Sequence, residues 1–204
     1  MKRPGKIVCV GRNYLAHAQE LGNAMPKEPL LFLKPPSSVI ANGGTILLPP
    51  QSQQVEYEGE IGIVIGRVLH HAKESEVESA ISGIVAVNDV TARDLQNKDG
   101  QWTRAKGFDT FCALGEPSAP PADLSQIEVV TRVNGGERQR ARAAEMAFAI
   151  PVLLAYISGV MTLEPGDVVA TGTPEGVGPL APGDTVEVTI TGLSVVKNPV
   201  ARAP

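Results

Sequence analysis

The sequence predicts a mainly β fold with peripheral helices, that is, an α+β protein. The chain of 204 residues contains 21 Gly and 17 Pro, which favour tight turns. Between these turns lie short runs rich in Val, Ile and Leu, whose length and composition are typical of strands. Stretches with helical periodicity are few. Strands joined by turns should therefore form most of the core.

Eight runs are predicted to be strands because each is β-branched or leucine-rich and is bounded by turn residues. They span residues 6–10, 30–33, 45–48, 57–65, 84–88, 127–133, 167–171 and 185–190. The last two runs each follow a Pro-Gly-Asp sequence, at 165–167 and 182–184. Pro and Gly suit the central positions of a β-turn, so we expect a turn leading into a strand at both places.

Three segments are predicted to be helical: 13–21, 73–81 and 145–158, the last interrupted at Pro151. No linker or long repeat divides the sequence, so we expect one domain over 1–204.

Composition limits the possible partners. Hydrophobic residues make up 43% and charged residues 20% of the chain, and the net charge is −4. An acidic protein of this kind has no electrostatic basis for binding nucleic acid or an anionic membrane surface. No apolar run approaches the ~20 residues of a membrane helix. Cys9 and Cys112 lie in apolar surroundings, which favours buried reduced thiols and a cytoplasmic protein.

Glu56, Glu58 and Glu60 alternate along the predicted strand 57–65 and the residue before it. Alternate side chains of a strand share one face, so the three carboxylates should lie close together and repel one another. Either a hard divalent cation lies among them or the face is solvated.

Asp89 follows the predicted strand 84–88, and Arg93 and Gln96 come just after it. A carboxylate at a strand end can supply a metal ligand, with cationic and amide groups lining the same site. A second interpretation is that Asp89 caps the turn after the strand.

His17 and Glu20 are three residues apart on the first predicted helix. On a helix Glu20 can orient His17 and raise its basicity, which is enough to activate water, although the pair can also be an ordinary exposed one. Lys106 is predicted to lie in a loop, where it pairs with an oxyanion or carboxylate or is solvated. The loop 171–178 offers backbone N–H groups to an anion but lacks the ending of a P-loop.

Together and in this order, six motifs resemble the fumarylacetoacetate hydrolase family, in particular its short acylpyruvate hydrolase and oxaloacetate decarboxylase branch. The similarity extends from about Ile7 to about Lys197. The motifs are Gly11-Arg12-Asn13-Tyr14 with His17 and Glu20, Phe32-Leu33-Lys34-Pro35, Tyr57-Glu58-Gly59-Glu60, Asn88 to Gln96, Lys106-Gly107-Phe108-Asp109 and Thr171 to Gly178.

The resemblance implies a mixed β-sandwich/β-roll fold of the family's C-terminal domain type, usually a homodimer with one Mg²⁺ or Mn²⁺ per subunit, a site that Ca²⁺ could also fill in crystals. It assigns residues by position in this sequence. The metal ligands would be Glu58, Glu60 and Asp89, with Glu56 as a flanking carboxylate. Substrate contacts would be Arg12, Arg93, Gln96 and Thr173, and the catalytic residues would be His17, Glu20 and Lys106, with a lid over about 12–28.

The activity implied is hydrolysis of a C–C bond in acylpyruvates, such as fumarylpyruvate or acetylpyruvate, to pyruvate and a carboxylic acid. His17 oriented by Glu20 would activate water, Lys106 would stabilise an oxyanion, and the metal would act as a Lewis acid. Within the same chemistry, the alternatives are an oxaloacetate decarboxylase or tautomerase, and a decarboxylase or isomerase of an aromatic-catabolism 2-oxo or 2-hydroxy-diene dicarboxylate. An alternative of another class is a module that binds 2-oxo acids without turning them over.

Overall fold

The computed structural model describes residues 3–20 and 26–204, without the side chains of residues 17–19. In this part of the chain the strands are β1 (Ile7–Gly11), β2 (Leu30–Lys34), β3 (Val39–Ala41), β4 (Ile46–Leu48), β5 (Val55–Tyr57), β6 (Gly59–Ile65), β7 (Ile81–Asp89), β8 (Thr91–Ala92), β9 (Cys112–Leu114), β10 (Glu128–Val133), β11 (Gly136–Arg142), β12 (Val168–Ala170), β13 (Gly178–Pro179), β14 (Thr185–Ile190) and β15 (Ser194–Arg202). The α-helices are α1 (Leu15–Glu20), α2 (Glu74–Val77), α3 (Arg93–Asp99), α4 (Thr103–Gly107) and α5 (Ile150–Val160).

The described strands form three sheets, which confirms the predicted mainly β class with peripheral helices. The seven-stranded sheet has the order β2-β1-β12-β6-β7-β9-β3, the five-stranded sheet the order β11-β10-β14-β15-β4, and the smallest sheet the order β13-β5-β8. Both parallel and antiparallel pairs occur, since β1 runs parallel to β12 while β6 and β7 are antiparallel. None of the helices in the described part of the chain is long and apolar enough to cross a membrane.

The antiparallel pair β6–β7 lies near the middle of the large sheet, and every residue of β6 is buried. One apolar cluster joins Ile61 and Ile63 of β6 to Val129 of β10 and Val188 of β14, and Leu154 of α5 belongs to the same cluster. Burying one such side chain contributes about 1.5–3 kcal/mol. Val64 of β6 and Val85 and Val87 of β7 belong to a second apolar cluster with Cys9 and Val168, so both faces of this strand pair are packed.

Two predicted helices have different bounds in the structure. The prediction of a helix over 145–158 interrupted at Pro151 is wrong at its start, because α5 begins at Ile150 after a 3-10 turn over Ala143–Glu145. Pro151 lies in the first turn of α5, where its missing N–H leaves no hydrogen bond unmade, so it starts this helix instead of interrupting it. The predicted helix 73–81 ends earlier, as α2 and a 3-10 turn over Glu78–Ala80.

The predicted strand 57–65 is broken at Glu58, which belongs to neither β5 nor β6. The Glu58 carbonyl accepts a hydrogen bond from the Asp89 N–H at 2.8 Å, and its N–H donates to the Asn88 side chain at 3.1 Å. Glu58 therefore lies where the chain passes from β5 in the smallest sheet to β6 in the largest one. They also bring Glu58 beside the end of β7.

Both Pro-Gly-Asp sequences form the expected turn. The Asp167 N–H donates to the Glu164 carbonyl at 3.0 Å, and the Asp184 N–H donates to the Ala181 carbonyl at 3.1 Å. The central glycines have φ values of 91° and 94°, as a type II turn requires. Each turn leads into a strand, β12 and β14.

Candidate active site

Three buried carboxylates, those of Glu58, Glu60 and Asp89, lie at the junction of β6 and β7. Their exposed fractions are 4%, 1% and 0%, and one oxygen from each lies within 4.8 Å of the others. The register of the strand pair explains the cluster, because Gly59 pairs with Asn88 and so places Glu58 next to Asp89. Gly59 itself has no room for a side chain, since a Cβ there would lie 1.9 Å from Thr131 Oγ1.

Two lysines hold Asp89 from both sides. Lys34 Nζ lies 2.5 Å from Asp89 Oδ1, and Lys106 Nζ lies 2.7 Å from Asp89 Oδ2 and 2.7 Å from Glu58 Oε2. Burial by itself would lower the pKa of Lys106, but Asp89 and Glu58 raise that pKa above its usual range. Lys106 therefore carries a positive charge inside the cluster.

Arg93, at the start of α3, bridges Glu58 to a further glutamate, Glu56. Its guanidinium lies 2.8 Å from Glu56 Oε2 and 2.5 Å from Glu58 Oε1, and it donates to Gln96 Oε1 at 2.5 Å. Glu56, expected to flank the metal ligands, is thus neutralised by Arg93 and also accepts from Gln54 at 2.6 Å. The arrangement orients the Glu58 carboxylate from the side opposite to its lysine contact.

Glu60 differs from the other carboxylates because no described cation is bonded to it. It accepts one hydrogen bond, from the Gly172 N–H at 2.9 Å. Burial raises the pKa of Glu60 well above its usual range, and repulsion from Asp89 and Glu58 raises it further. A carboxylate in this position is stabilised by an added cation, and an all-oxygen donor set suits Mg²⁺ or Mn²⁺. The residues present therefore fit a metal ion.

A cavity of about 1400 Å³ opens above this cluster. Glu58, Glu60 and Thr173 lie on its surface, together with the side chains of Phe32 and Trp102. The two aromatic rings pack edge to face with centroids 5.2 Å apart, and Lys106 Nζ lies 4.9 Å from the Phe32 centroid. The cavity thus combines charged groups at its base with an apolar wall.

Two further predicted contact residues are hydrogen-bonded to the surrounding protein. The Thr173 hydroxyl donates to the Gly59 carbonyl at 2.9 Å and accepts from Gln139 at 2.8 Å. Gln96 uses its amide oxygen for Arg93, and its side-chain N–H groups have no hydrogen-bond partner among the described residues. Arg12 also lines the cavity.

Glu20 lies at the end of α1, within the predicted lid. Its carboxylate oxygens accept from the Gly176 N–H at 3.0 and 3.2 Å, which ties α1 to the loop 171–178. Gly176 has φ 92°, and a Cβ there would lie 2.1 Å from the Arg138 carbonyl oxygen. The His17 side chain and residues 21–25 of the predicted lid lie outside the described residues, so the His17–Glu20 pair and lid closure stay predictions.

The prediction that Lys106 lies in a loop is wrong. Lys106 lies in the short helix α4, and its ammonium group reaches into the carboxylate cluster. The cysteines are as expected, free and buried. Lys34 and Gln139 were given no role from the sequence. A lysine inside the apolar run 30–34 is the signal that marks Lys34, whereas Gln139 lies in a polar strand and has no such signal.

The mixed β fold and the carboxylate cluster below a cavity are those of a β-rich protein with a candidate site for a hard metal ion. The family model described as fumarylacetoacetate (FAA) hydrolase C-terminal matches residues 6–201. The chain therefore belongs to this family, and it is an enzyme of the family. This finding argues against the alternative function, a module that binds 2-oxo acids without turning them over.

Relatives and solved structures fit this assignment. A mitochondrial oxaloacetate tautomerase from Arabidopsis thaliana is 46% identical over 207 residues, which cover 98% of this chain and 93% of the relative. A mitochondrial oxaloacetate decarboxylase from Dictyostelium discoideum is 44% identical over 198 residues, which cover 92% and 89%. The structure of a 5-carboxymethyl-2-hydroxymuconate delta-isomerase from Mycobacterium smegmatis matches with a TM-score of 0.92 and 46% identity, over 99% of this chain and 80% of that chain.

Proposed function

We propose that this enzyme converts the keto and enol forms of oxaloacetate into one another, with decarboxylation of oxaloacetate as a related activity, and that it uses Mg²⁺ or Mn²⁺. The observation that carries the proposal is the buried triad of Glu58, Glu60 and Asp89, with its uncompensated negative charge at the base of a cavity. Relatives of nearly the same length that are named oxaloacetate tautomerase and decarboxylase support the choice of substrate.

The triad would hold the ion, and the bound ion would supply Lewis-acid stabilisation of negative charge on the 2-oxo acid. Lys34 and Arg93 fix the orientation of Asp89 and Glu58 through the contacts described above. An ammonium group has three N–H donors, and Lys106 uses two of them for Glu58 and Asp89. Its third N–H, and the free amide N–H groups of Gln96, would hold substrate oxygens.

Proton transfer at C3 of the substrate needs a base close to the cavity. His17 and Glu20 are both on α1, three residues apart, and Glu20 lines the cavity. The Gly176 N–H would hold Glu20 in place so that it can orient His17. The aromatic wall of Phe32 and Trp102 would exclude bulk water from the reacting atoms.

Hydrolysis of acylpyruvates is the second candidate function. It is supported by the His17 and Glu20 spacing, because activation of water requires a base, as proton transfer at C3 does, whereas decarboxylation does not. In this reaction His17 would deprotonate the attacking water and Lys106 would stabilise the oxyanion.

One set of assays tests the proposal. The purified protein is incubated with oxaloacetate, acetylpyruvate or fumarylpyruvate, with Mg²⁺, Mn²⁺ or a chelator, and keto–enol conversion, pyruvate and carboxylic acid are followed by NMR. We expect metal-dependent tautomerisation of oxaloacetate, and a loss of at least about 100-fold in Asp89→Asn and Glu58→Gln. Full activity of Asp89→Asn would refute the metal ligand assignment.

His17→Ala tests the base that both tautomerisation and hydrolysis would need. If acylpyruvate cleavage is the main activity, this variant should lose it while oxaloacetate decarboxylation persists. Equal cleavage by His17→Ala and the wild type would refute the role of His17 in activating water. Sedimentation velocity of the same preparation tests the expected homodimer, and fractionation of the source cells tests the expected cytoplasmic location.

A further inference from the structure

The cations that line the cavity differ in whether they are already neutralised. Lys6 is bonded to Asp167, and Lys34, Arg93 and Lys106 are bonded to the carboxylate cluster. Arg12 also lines the cavity and is half-buried. Within residues 3–20 and 26–204, no hydrogen bond or ion pair joins its guanidinium to another described group.

The backbone at Arg12 is held in an unusual conformation. Its φ of 57° lies in the left-handed region, which costs a residue other than glycine about 1–2 kcal/mol. The next residue, Asn13, is fully buried and donates to the Thr171 carbonyl at 2.8 Å, which fixes the chain at this point. Strain of this kind persists where the surrounding structure imposes it, and it is common at binding sites.

Gly172 connects the backbone around Arg12 to the triad. A Cβ on Gly172 would lie 3.0 Å from the Val10 carbonyl oxygen and 2.8 Å from the Asn13 Cβ, so Gly172 packs against the residues on both sides of Arg12. The Gly172 N–H is the group that donates to Glu60. The backbone beside Arg12 thus packs against the residue that donates to Glu60, and Arg12 lines the same cavity as Glu58 and Glu60.

The charges in the cluster determine what Arg12 can bind. The cluster has one more negative than positive charge, since Glu56, Glu58, Glu60 and Asp89 face Lys34, Arg93 and Lys106. A divalent ion would change the balance to one positive charge, which the first carboxylate of a substrate neutralises. A second carboxylate then needs another cation, and Arg12 is the cavity cation without a partner among the described residues.

We propose that Arg12 binds the distal carboxylate of a dicarboxylate 2-oxo acid and thereby favours keto–enol tautomerisation over decarboxylation. This inference rests on the proposed function. In tautomerisation a proton leaves C3 and a proton is added to the C2 oxygen, and both carboxylates keep their charge. Arg12 therefore stabilises the reactant and product alike.

Decarboxylation has a different charge balance. The C3–C4 bond breaks, its electron pair stays on C3 and is delocalised onto the C2 oxygen, the distal carboxylate leaves as neutral CO₂, and C3 then takes up a proton. An ion pair between Arg12 and that carboxylate is lost as CO₂ forms. The pair thus stabilises the ground state more than the transition state and slows this reaction.

The experiment compares wild type, Arg12→Gln and Arg12→Gly, each loaded with Mn²⁺. Glycine suits the left-handed backbone, so Arg12→Gly removes the side chain and relieves strain together. Keto–enol conversion and pyruvate release are measured with oxaloacetate. Exchange of the C3 protons is measured with 2-oxobutanoate, in which a methyl group replaces the distal carboxylate. Arg67→Gln, an exposed arginine bonded to Ser79, is the matched control.

In both Arg12 variants we expect the ratio of decarboxylation to tautomerisation to rise at least about tenfold. The preference for oxaloacetate over 2-oxobutanoate, measured as kcat/KM, should fall by a similar factor, and Arg67→Gln should change neither. Unchanged ratios in both Arg12 variants, with an active wild type, would overturn only the Arg12 assignment. An absence of oxaloacetate tautomerisation by the wild type would overturn the proposed function and this inference with it.

Discussion

Glu58 and Glu60 are only two residues apart, yet their surroundings differ in charge. Glu58 is bonded to Arg93 and Lys106, so its carboxylate is compensated by two buried cations. Glu60 has the Gly172 N–H and no described ion pair. The same substitution, carboxylate to amide, should therefore have opposite effects on the stability of the metal-free protein at these two positions.

In a chelator, Glu60→Gln should raise the free energy of unfolding by about 1 kcal/mol, because it removes an uncompensated buried charge and keeps an acceptor for Gly172. Glu58→Gln should lower it by about 3 kcal/mol, because Arg93 and Lys106 lose a partner. Urea unfolding of both variants measures the difference. Equal destabilisation by the two substitutions would contradict this account of the cluster.

Lys34 should contribute to stability because it is a fully buried partner of Asp89. Lys34→Met should lower the free energy of unfolding by about 3 kcal/mol in a chelator, since Asp89 then lacks one of its two cations. Added Mn²⁺ should restore part of the loss. Lys98→Met, at an exposed position of α3, is the control and should unfold like the wild type. The same urea midpoint for Lys34→Met and the wild type would be evidence against a structural role of the Lys34–Asp89 pair.

For single residues, the clustering of Glu58 and Glu60 could be predicted because alternation along a strand depends on local sequence alone. The side chains that neutralise them could not be assigned in the same way. Lys34 and Lys106 reach Asp89 from β2 and α4, and the Coulomb pairing that brings them together depends on tertiary structure. Whether Lys106 acts as an oxyanion partner in catalysis stays a prediction.

Among the elements, the loop 171–178 depends most on glycine, and two glycines of equal φ allow a matched test. Gly176 and Gly183 have φ values of 92° and 94°, but a Cβ at Gly176 would lie 2.1 Å from the Arg138 carbonyl oxygen, while nothing lies within 4 Å at Gly183. Both alanine variants carry the backbone cost of about 1 kcal/mol. Only in Gly176→Ala does the new Cβ also clash with the backbone of Arg138.

Gly176→Ala should therefore lower the free energy of unfolding by about 2–3 kcal/mol, and Gly183→Ala by about 1 kcal/mol. Gly176→Ala should also lower catalytic activity, because the N–H that holds Glu20 must move. Thermal unfolding and tautomerase assays of the two variants check both effects. If Gly183→Ala were as unstable and as inactive as Gly176→Ala, the close approach to Arg138 would not be the cause.

The strands that the sequence predicts are those with apolar, β-branched residues. The strands that it does not predict depend on pairing with their neighbours in the sheet. β11 is polar along most of its length and lies at the edge of its sheet, so its hydrogen bonds to β10 determine its conformation. β15 contains Pro199, and it forms between β14 and β4. The short helix α4 spans Thr103–Gly107 and depends on packing, because so few residues do not form a stable helix alone.

For the whole molecule, metal binding should raise thermal stability. The proposed ligands lie in β6, at the end of β7 and in the bend just before β6, so the ion would bind only the folded chain. At a free Mn²⁺ concentration of 100 times Kd, linkage adds about 2.7 kcal/mol. For a chain of this size the midpoint should rise by about 5–10 °C.

Calorimetry with Mn²⁺ or a chelator, at equal ionic strength, measures this rise. Asp89→Asn is the control and should show little or no increase. A midpoint that does not depend on Mn²⁺ in the wild type would rule out tight binding at the triad.

The triad and the wall around it have different origins in the chain. Glu60 and Asp89 lie in the paired strands β6 and β7, and Glu58 lies in the bend just before β6. Other parts of the cavity depend on contacts between distant segments, such as Asn13 with Thr171 and Glu20 with Gly176. The proposed metal ligands thus come from two neighbouring stretches of chain, and the proposed substrate contacts come from segments far apart in the sequence. The loop 171–178 is nevertheless bonded to β6, because the Thr171 hydroxyl donates to the Ile61 carbonyl and the Thr173 hydroxyl donates to the Gly59 carbonyl, so a change in this loop would also reach the strand that carries Glu60.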